Sequence, residues 1–144
     1  MKLSSTAGMQ GIGWATETFV GKASEAITKG MIVECLLATL SPDDDQSIAI
    51  SNGSGIGIYG VALEDIASGE RGLCALSGKV KIIAGDTAAA GVPIMPNNAG
   101  KSLEHAGDDN TVAVGFQVEL GVVGELKTCI FNGFCPQRTG DFAA

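Results

Sequence analysis

A chain of 144 residues with 45% apolar side chains can fill the core of one domain, but with one Trp, one Tyr and five Phe that core must rest on Val, Ile, Leu and Ala. Sixteen acidic against nine basic side chains give a net charge of -7, and no stretch gathers Lys and Arg into a phosphate-neutralising patch, which argues against nucleic-acid binding. No run reaches the length of a membrane-spanning helix, and Met1-Lys2-Leu3-Ser4-Ser5 lacks the apolar core of a secretion signal. The four cysteines (Cys35, Cys74, Cys129, Cys135) are therefore expected as reduced thiols of a protein made in the cytoplasm.

Residues 1–22 hold the only Trp and a Phe among Gly, Ser and Thr, with neither helical nor alternating periodicity, and are expected to form an arm. Short apolar runs then recur between turn signals: residues 31–37, 56–63, 73–76, 80–83, 111–118 and 127–131. Each is of strand length and none continues into an amphipathic helix, so the fold class is all-β. Twenty-one glycines, roughly double ordinary usage, lie between these runs and read as turns.

The chain also resembles itself. Residues 58–78 (IYGVALEDIASGERGLCALSG) and 113–133 (AVGFQVELGVVGELKTCIFNG) align without a gap at an offset of 55, with six identities: Gly60/Gly115, Glu64/Glu119, Gly69/Gly124, Glu70/Glu125, Cys74/Cys129 and Gly78/Gly133. Upstream, residues 26–33 pair with 87–94 at an offset of 61, the difference being absorbed by a longer loop at 41–55. Two repeats are too few for a solenoid, which predicts a small barrel or sandwich with internal pseudo-two-fold duplication. The expected organisation is an arm (1–22), a β domain (23–136, with halves of approximately 25–80 and 85–134) and a tail (137–144).

The motifs that suggest chemistry have simpler readings. Gly55-Ile56-Gly57-Ile58-Tyr59-Gly60 fits a dinucleotide fingerprint in letters only, because Val61-Ala62-Leu63-Glu64, directly after it, reads as strand and not as helix. Asp86-Thr87-Ala88 has no Asp-Thr counterpart in the first copy, and Asp86 reads as an Asp bonding its own turn. Glu64, Glu119, Glu70 and Glu125 are equivalent by duplication, which does not make them neighbours. Asp43-Asp44-Asp45 and Asp108-Asp109-Asn110 lack the ligand spacing of a calcium loop and read as solvated turns. There is no Cys-x-x-Cys and His105 is the only His, so neither a zinc site nor a Cys-His nucleophile is expected. Cys74 and Cys129 read as small buried hydrophobes. No cofactor, metal or catalytic residue is assigned.

The phrases Ala-Ile-x-x-Gly-x-x-Val (26–33), Gly-Val-Ala-Leu-Glu-Asp-Ile-Ala-Ser-Gly-Glu (60–70), Gly-x-Val (78–80) and Ala-Gly-Asp-x-Ala-Ala-Ala-Gly-Val-Pro-Ile (84–94) resemble the Gly- and Ala-rich capsid cement, or head decoration, proteins of tailed bacteriophages. The likeness covers roughly residues 24–133. It implies a β-barrel or β-tulip-like body, assembled as a homotrimer, that binds the major capsid protein on the outer face of the virion and cements adjacent capsomers, after synthesis in the host cytoplasm. Under this reading the protein is not an enzyme, and Ile12, Trp14, Phe19 and Val20 of the arm are the expected capsid contacts. The competing reading is a carbohydrate- or receptor-binding surface module, which the scarcity of aromatics disfavours.

Overall fold

The computed structural model describes residues 14–36, 45–52, 58–105, 112–133 and 137–138. Among them every regular element is a strand: β1 (Trp14–Ala23), β2 (Ile32–Cys35), β3 (Asp45–Ile50), β4 (Tyr59–Ala62), β5 (Arg71–Ile83), β6 (Pro93–Pro96), β7 (Ser102–Glu104), β8 (Val112–Ala113), β9 (Gly115–Gln117), β10 (Leu126–Asn132) and β11 (Gln137–Arg138). The short lengths follow from the glycine punctuation and β-branched runs of the sequence.

β1, β3, β2, β4 and β5 are neighbours in that order, and β1 pairs back onto β5, so five strands close into a barrel. Closure leaves β1 no open edge over residues 20–22, where it pairs with both β3 and β5. β5 does not end with the barrel. Its second half pairs with β10, which continues through β9 and β6 to β7. An isolated parallel bridge, Ala84 to Ser102, then joins the end of β5 to β7, so a second ring closes around the same long strand.

The two rings share their registers. In the first, Gly21 faces Gly72, Val33 faces both Ile50 and Gly60, and Ala62 faces Cys74. In the second, Ile82 faces Lys127, Ile94 faces both Glu104 and Gly115, and Gln117 faces Cys129. The turns repeat as well: Ile66 N–H donates to Ile27 O at 2.8 Å and Gly121 N–H to Ala88 O at 2.9 Å, while Gly69 N–H donates to Ala23 O at 2.7 Å and Gly124 N–H to Ala84 O at 2.8 Å. Gly69 and Gly124 hold φ of +84° and +86°, a region that a side chain resists. A Cβ on Gly115 would run into the backbone oxygen of Ile130, so there one strand lies too close to the next for any other residue, while one on Gly60 would meet chiefly the Phe19 ring at 2.8 Å, with Ala75 O at 3.1 Å behind it.

Alternation along the strands sorts the core into two clusters. Val33, Cys35, Ile48, Ala62, Ile66 and Cys74 fill the first barrel. Their sequence neighbours Ile32, Val61 and Ala75 point the other way and pack with Val80, Ile82, Ile94, Val114, Cys129 and Phe131 of the second ring. β4 is thus buried on both faces, and with Ile32 and Ala75 the outer face of the first ring supplies part of the packing of the second.

Several expectations need correction. Residues 14–22, read as arm, form most of β1, a barrel strand paired with β5 along its length and with β3 over Val20 to Ala23. The alternation was hidden because the inward position 21 is a glycine, which leaves room for Ile48, whose Cδ1 a Cβ there would approach to 2.5 Å. The runs 73–76 and 80–83 are one strand, β5. The expected loop at 41–55 contains β3, whose polar sequence carries little periodicity, and β7, three residues long, is too short to show any. Residues 137–138 of the expected tail pair with β8 as β11.

Candidate interaction surface

The second ring exposes what the first ring buries. Phe116 on β9 and Ile130 on β10 are cross-strand partners on the outer face, 46% and 54% exposed. Their register equivalents in the first ring, Val61 and Ala75, also face each other and are 0% exposed. Val118 continues the row beyond Phe116, and Leu126 lies two residues along the same face of β10 from Thr128, the neighbour of Val118, whose N–H donates to Thr128 O at 3.0 Å. Between them the turn raises Leu120, Val122 and Val123, where the first ring has Asp65, Ala67 and Ser68.

These seven side chains are all but one of the exposed large hydrophobics among the described residues, Leu73 being the other. Together they offer on the order of 600 Å² of apolar surface, at the upper end of what the largest patch of a monomer usually shows. A cavity of about 140 Å³ opens at the β9–β10 end of the strip, lined by Ala113, Val114, Phe116, Ile130, Phe131 and Asn132. The opposite end is the turn at 120–123. The arrangement suits contact with another macromolecule, since a continuous apolar strip gains free energy only when it is removed from water.

The carboxylates singled out by the sequence hold turns. Asp86 accepts from Ala88 N–H at 3.0 Å through one carboxylate oxygen and from Glu104 N–H at 2.9 Å through the other, the turn role expected of it. Glu64 and Glu119 each accept the N–H nine residues on, Leu73 and Thr128, both at 2.8 Å. Those hydrogen bonds from Thr128 hold the Glu119 carboxyl below its ordinary range, with Lys127 at 3.9 Å a lesser contributor. Glu125 also pairs with Lys127, at 3.4 Å. Burial pushes the thiol of Cys35 up to about 11 and those of Cys74 and Cys129 up to about 12. These three are free cysteines held neutral and unreactive, as small hydrophobes. Among the described residues no group of three or more His, Cys, Asp or Glu is placed to hold a metal. His105 is buried, and its N–H donates to Pro93 O at 2.8 Å.

Of the expected contact residues, Ile12 lies outside the described residues, as do Cys135, Asp43, Asp44, the Asp108-Asp109-Asn110 turn and residues 55–57 of the glycine motif. Trp14 opens β1 opposite Lys79, whose other neighbour is Ile130, so β1 begins two strands from the exposed strip. Phe19 packs against the first core cluster, and a Cβ on Gly60 would meet its ring at 2.8 Å; Val20 is half-buried beside it. The strip itself escaped the sequence reading, although the signal was present: within the aligned repeats, Val61, Ala75, Asp65 and Ser68 are replaced by Phe116, Ile130, Leu120 and Val123.

A double β ring with an exposed apolar strip is the class of architecture that the fold defines. Comparison with known proteins agrees. Residues 39–122 match the model of the phage cement protein family, and the chain belongs to that family. It is accordingly a structural protein of the phage head. The fold is similar to the crystal structure of the N base of the head fiber gp8.5 of bacteriophage phi29, with 20% identity, a TM-score of 0.62, and 81% of this chain and 93% of that one covered. No curated protein matches the chain.

Proposed function

We propose that the protein binds the outer surface of a phage capsid as a homotrimer and cements adjacent capsomers by contact with the major capsid protein. The observation that carries this reading is the apolar strip of the second ring on a member of the cement family, a surface built for association where no reactive centre accompanies it among the described residues. We place the capsid contact at the N-terminal end, with Ile12 and Trp14 as anchors. Phe19 serves the barrel core, so its contribution and that of Val20 are to seat the strand from which the N-terminal residues emerge. The repeated registers and turn bonds favour origin of the two halves by duplication.

The test is co-sedimentation with expanded heads that lack the protein. The full chain is expected to pellet with heads and to raise their resistance to heating or chelation, and removal of residues 1–13, which spares β1, is expected to abolish pelleting. Normal binding by the truncated chain eliminates the N-terminal contact. Failure of the intact chain to bind eliminates the cement reading.

A further inference from the structure

We infer that the exposed strip of the second ring is the surface through which copies of this chain join, the turn at 120–123 of one copy seating in the cavity beside Phe116 and Ile130 of the next. The inference deepens the proposed function by assigning the homotrimer contact to residues.

Three observations converge on a second copy as the occupant. The first is the packing of the rings within one chain. Val61 and Ala75 occupy the register of Phe116 and Ile130, and they are covered because the following ring lies over them. The second ring presents the same face, enlarged from Val and Ala to Phe and Ile, with no third ring among the described residues to cover it. What continues the series is another molecule that carries the same kind of ring.

The second observation is supply. Apolar strips bury best against apolar surface, and among the described residues the other large exposed hydrophobic is Leu73 alone. Among the described residues a copy of this chain therefore has one such face to offer, and it is this strip. In a closed ring each copy spends the strip on two contacts, its turn in one and its cavity in the other, so on the order of 600 Å² of apolar surface per copy leaves water across the assembly.

The third is that the strip has two unlike ends. At one, the cavity of about 140 Å³ has room for a single large apolar side chain. At the other, Leu120 and Val123 are the most exposed apolar residues described, 59% and 61%. A protrusion at one end and a recess at the other make a head-to-tail contact, which closes into a ring when the rotation allows and is the kind of interface a cyclic trimer uses.

Sedimentation of the intact protein without heads tests the assignment. The wild type is expected as an oligomer of the 14.6 kDa chain, and I130D and V123D are each expected to reduce it to a single chain, while L73D on the first ring leaves it assembled. Val123 is the safer site, because the first ring already carries a polar residue, Ser68, in that register; an unchanged circular dichroism spectrum and cooperative melt show that the variant folds. In a C135S background, mild oxidation of V123C/N132C is expected to trap covalent multimers, and V123C alone is not, since the remaining native thiols at 35, 74 and 129 are buried and do not compete. A monomeric wild type, an oligomer that survives both aspartates, or cross-linking of V123C alone each overturns the inference. A monomer that still binds heads refutes this contact and leaves the cement reading intact; an oligomer held by the strip that ignores heads does the reverse.

Discussion

The two rings answer one architectural problem with different surfaces. The first ring has both faces of β4 buried, one around Val33, Ala62 and Cys74 and the other against the second ring through Ile32, Val61 and Ala75. The second ring has the same registers but one covered face, and its outer positions are Phe116, Val118 and Ile130. Where two halves share a backbone plan, the positions at which they differ show what each half is for. Shared glycines and turn carboxylates keep the plan; the exchange of Asp65, Ser68 and Arg71 for Leu120, Val123 and Leu126 alters only what the outside meets.

The largest expected effect separates the rings at their closest strand contacts. G115A puts a Cβ against the backbone oxygen of Ile130 and is expected to cost about 3 kcal/mol or more, whereas G60A meets chiefly the Phe19 ring, which can shift, and should cost about 1–2 kcal/mol. Urea midpoints of the two variants decide this, and equal losses would break the distinction. Next come the thiols. Folded Cys35, Cys74 and Cys129 ionise well above the ordinary value of 9.0, so their stabilisation is complete below that pH and is lost as pH rises from about 9 towards 11 to 12. Denaturation across pH 8–11 should show stability falling by up to about 1.4 kcal/mol per thiol per pH unit, less steeply in C74A and C129A.

Gln117 sharpens the comparison further. It stands where the first barrel has Ala62, and although Cys129 Sγ lies 3.6 Å from its Oε1, its buried Nε2 has no partner. Q117M is expected to raise stability by about 1 kcal/mol in urea titration, since an unpaired buried donor is removed. The smallest effect is at Glu119, whose carboxyl is held low by Thr128. Its contribution is present above the unfolded value of 4.5 and fades as pH falls below it, so stability measured from pH 6 to 3 should decline less in E119Q than in the wild type.

Much of this was legible beforehand. The offsets of 55 and 61 could be read because Gly60, Gly115, Gly69 and Gly124 answer to backbone proximity or positive φ, demands that few other residues meet. β1 was lost because its alternation passes through Gly21, and β3 and β7 because strands as short or as polar as Asp45–Ile50 and Ser102–Glu104 are set by pairing partners distant in sequence. The strip was written in the differences between the repeats, and becomes visible only once the register shows which face each difference occupies.

β5 also dictates the order in which the molecule can assemble. Its first residues must find Trp14–Ala23, some fifty positions earlier, and its last residues must wait for Leu126–Asn132, about as far ahead. Neither enclosure can shut until this strand has been synthesised, and each closure carries the entropic toll of a long loop. Refolding in milliseconds to seconds is the expected pace, with β1 limited to its short pairing with β3 in the nascent chain until residue 79 has left the ribosome.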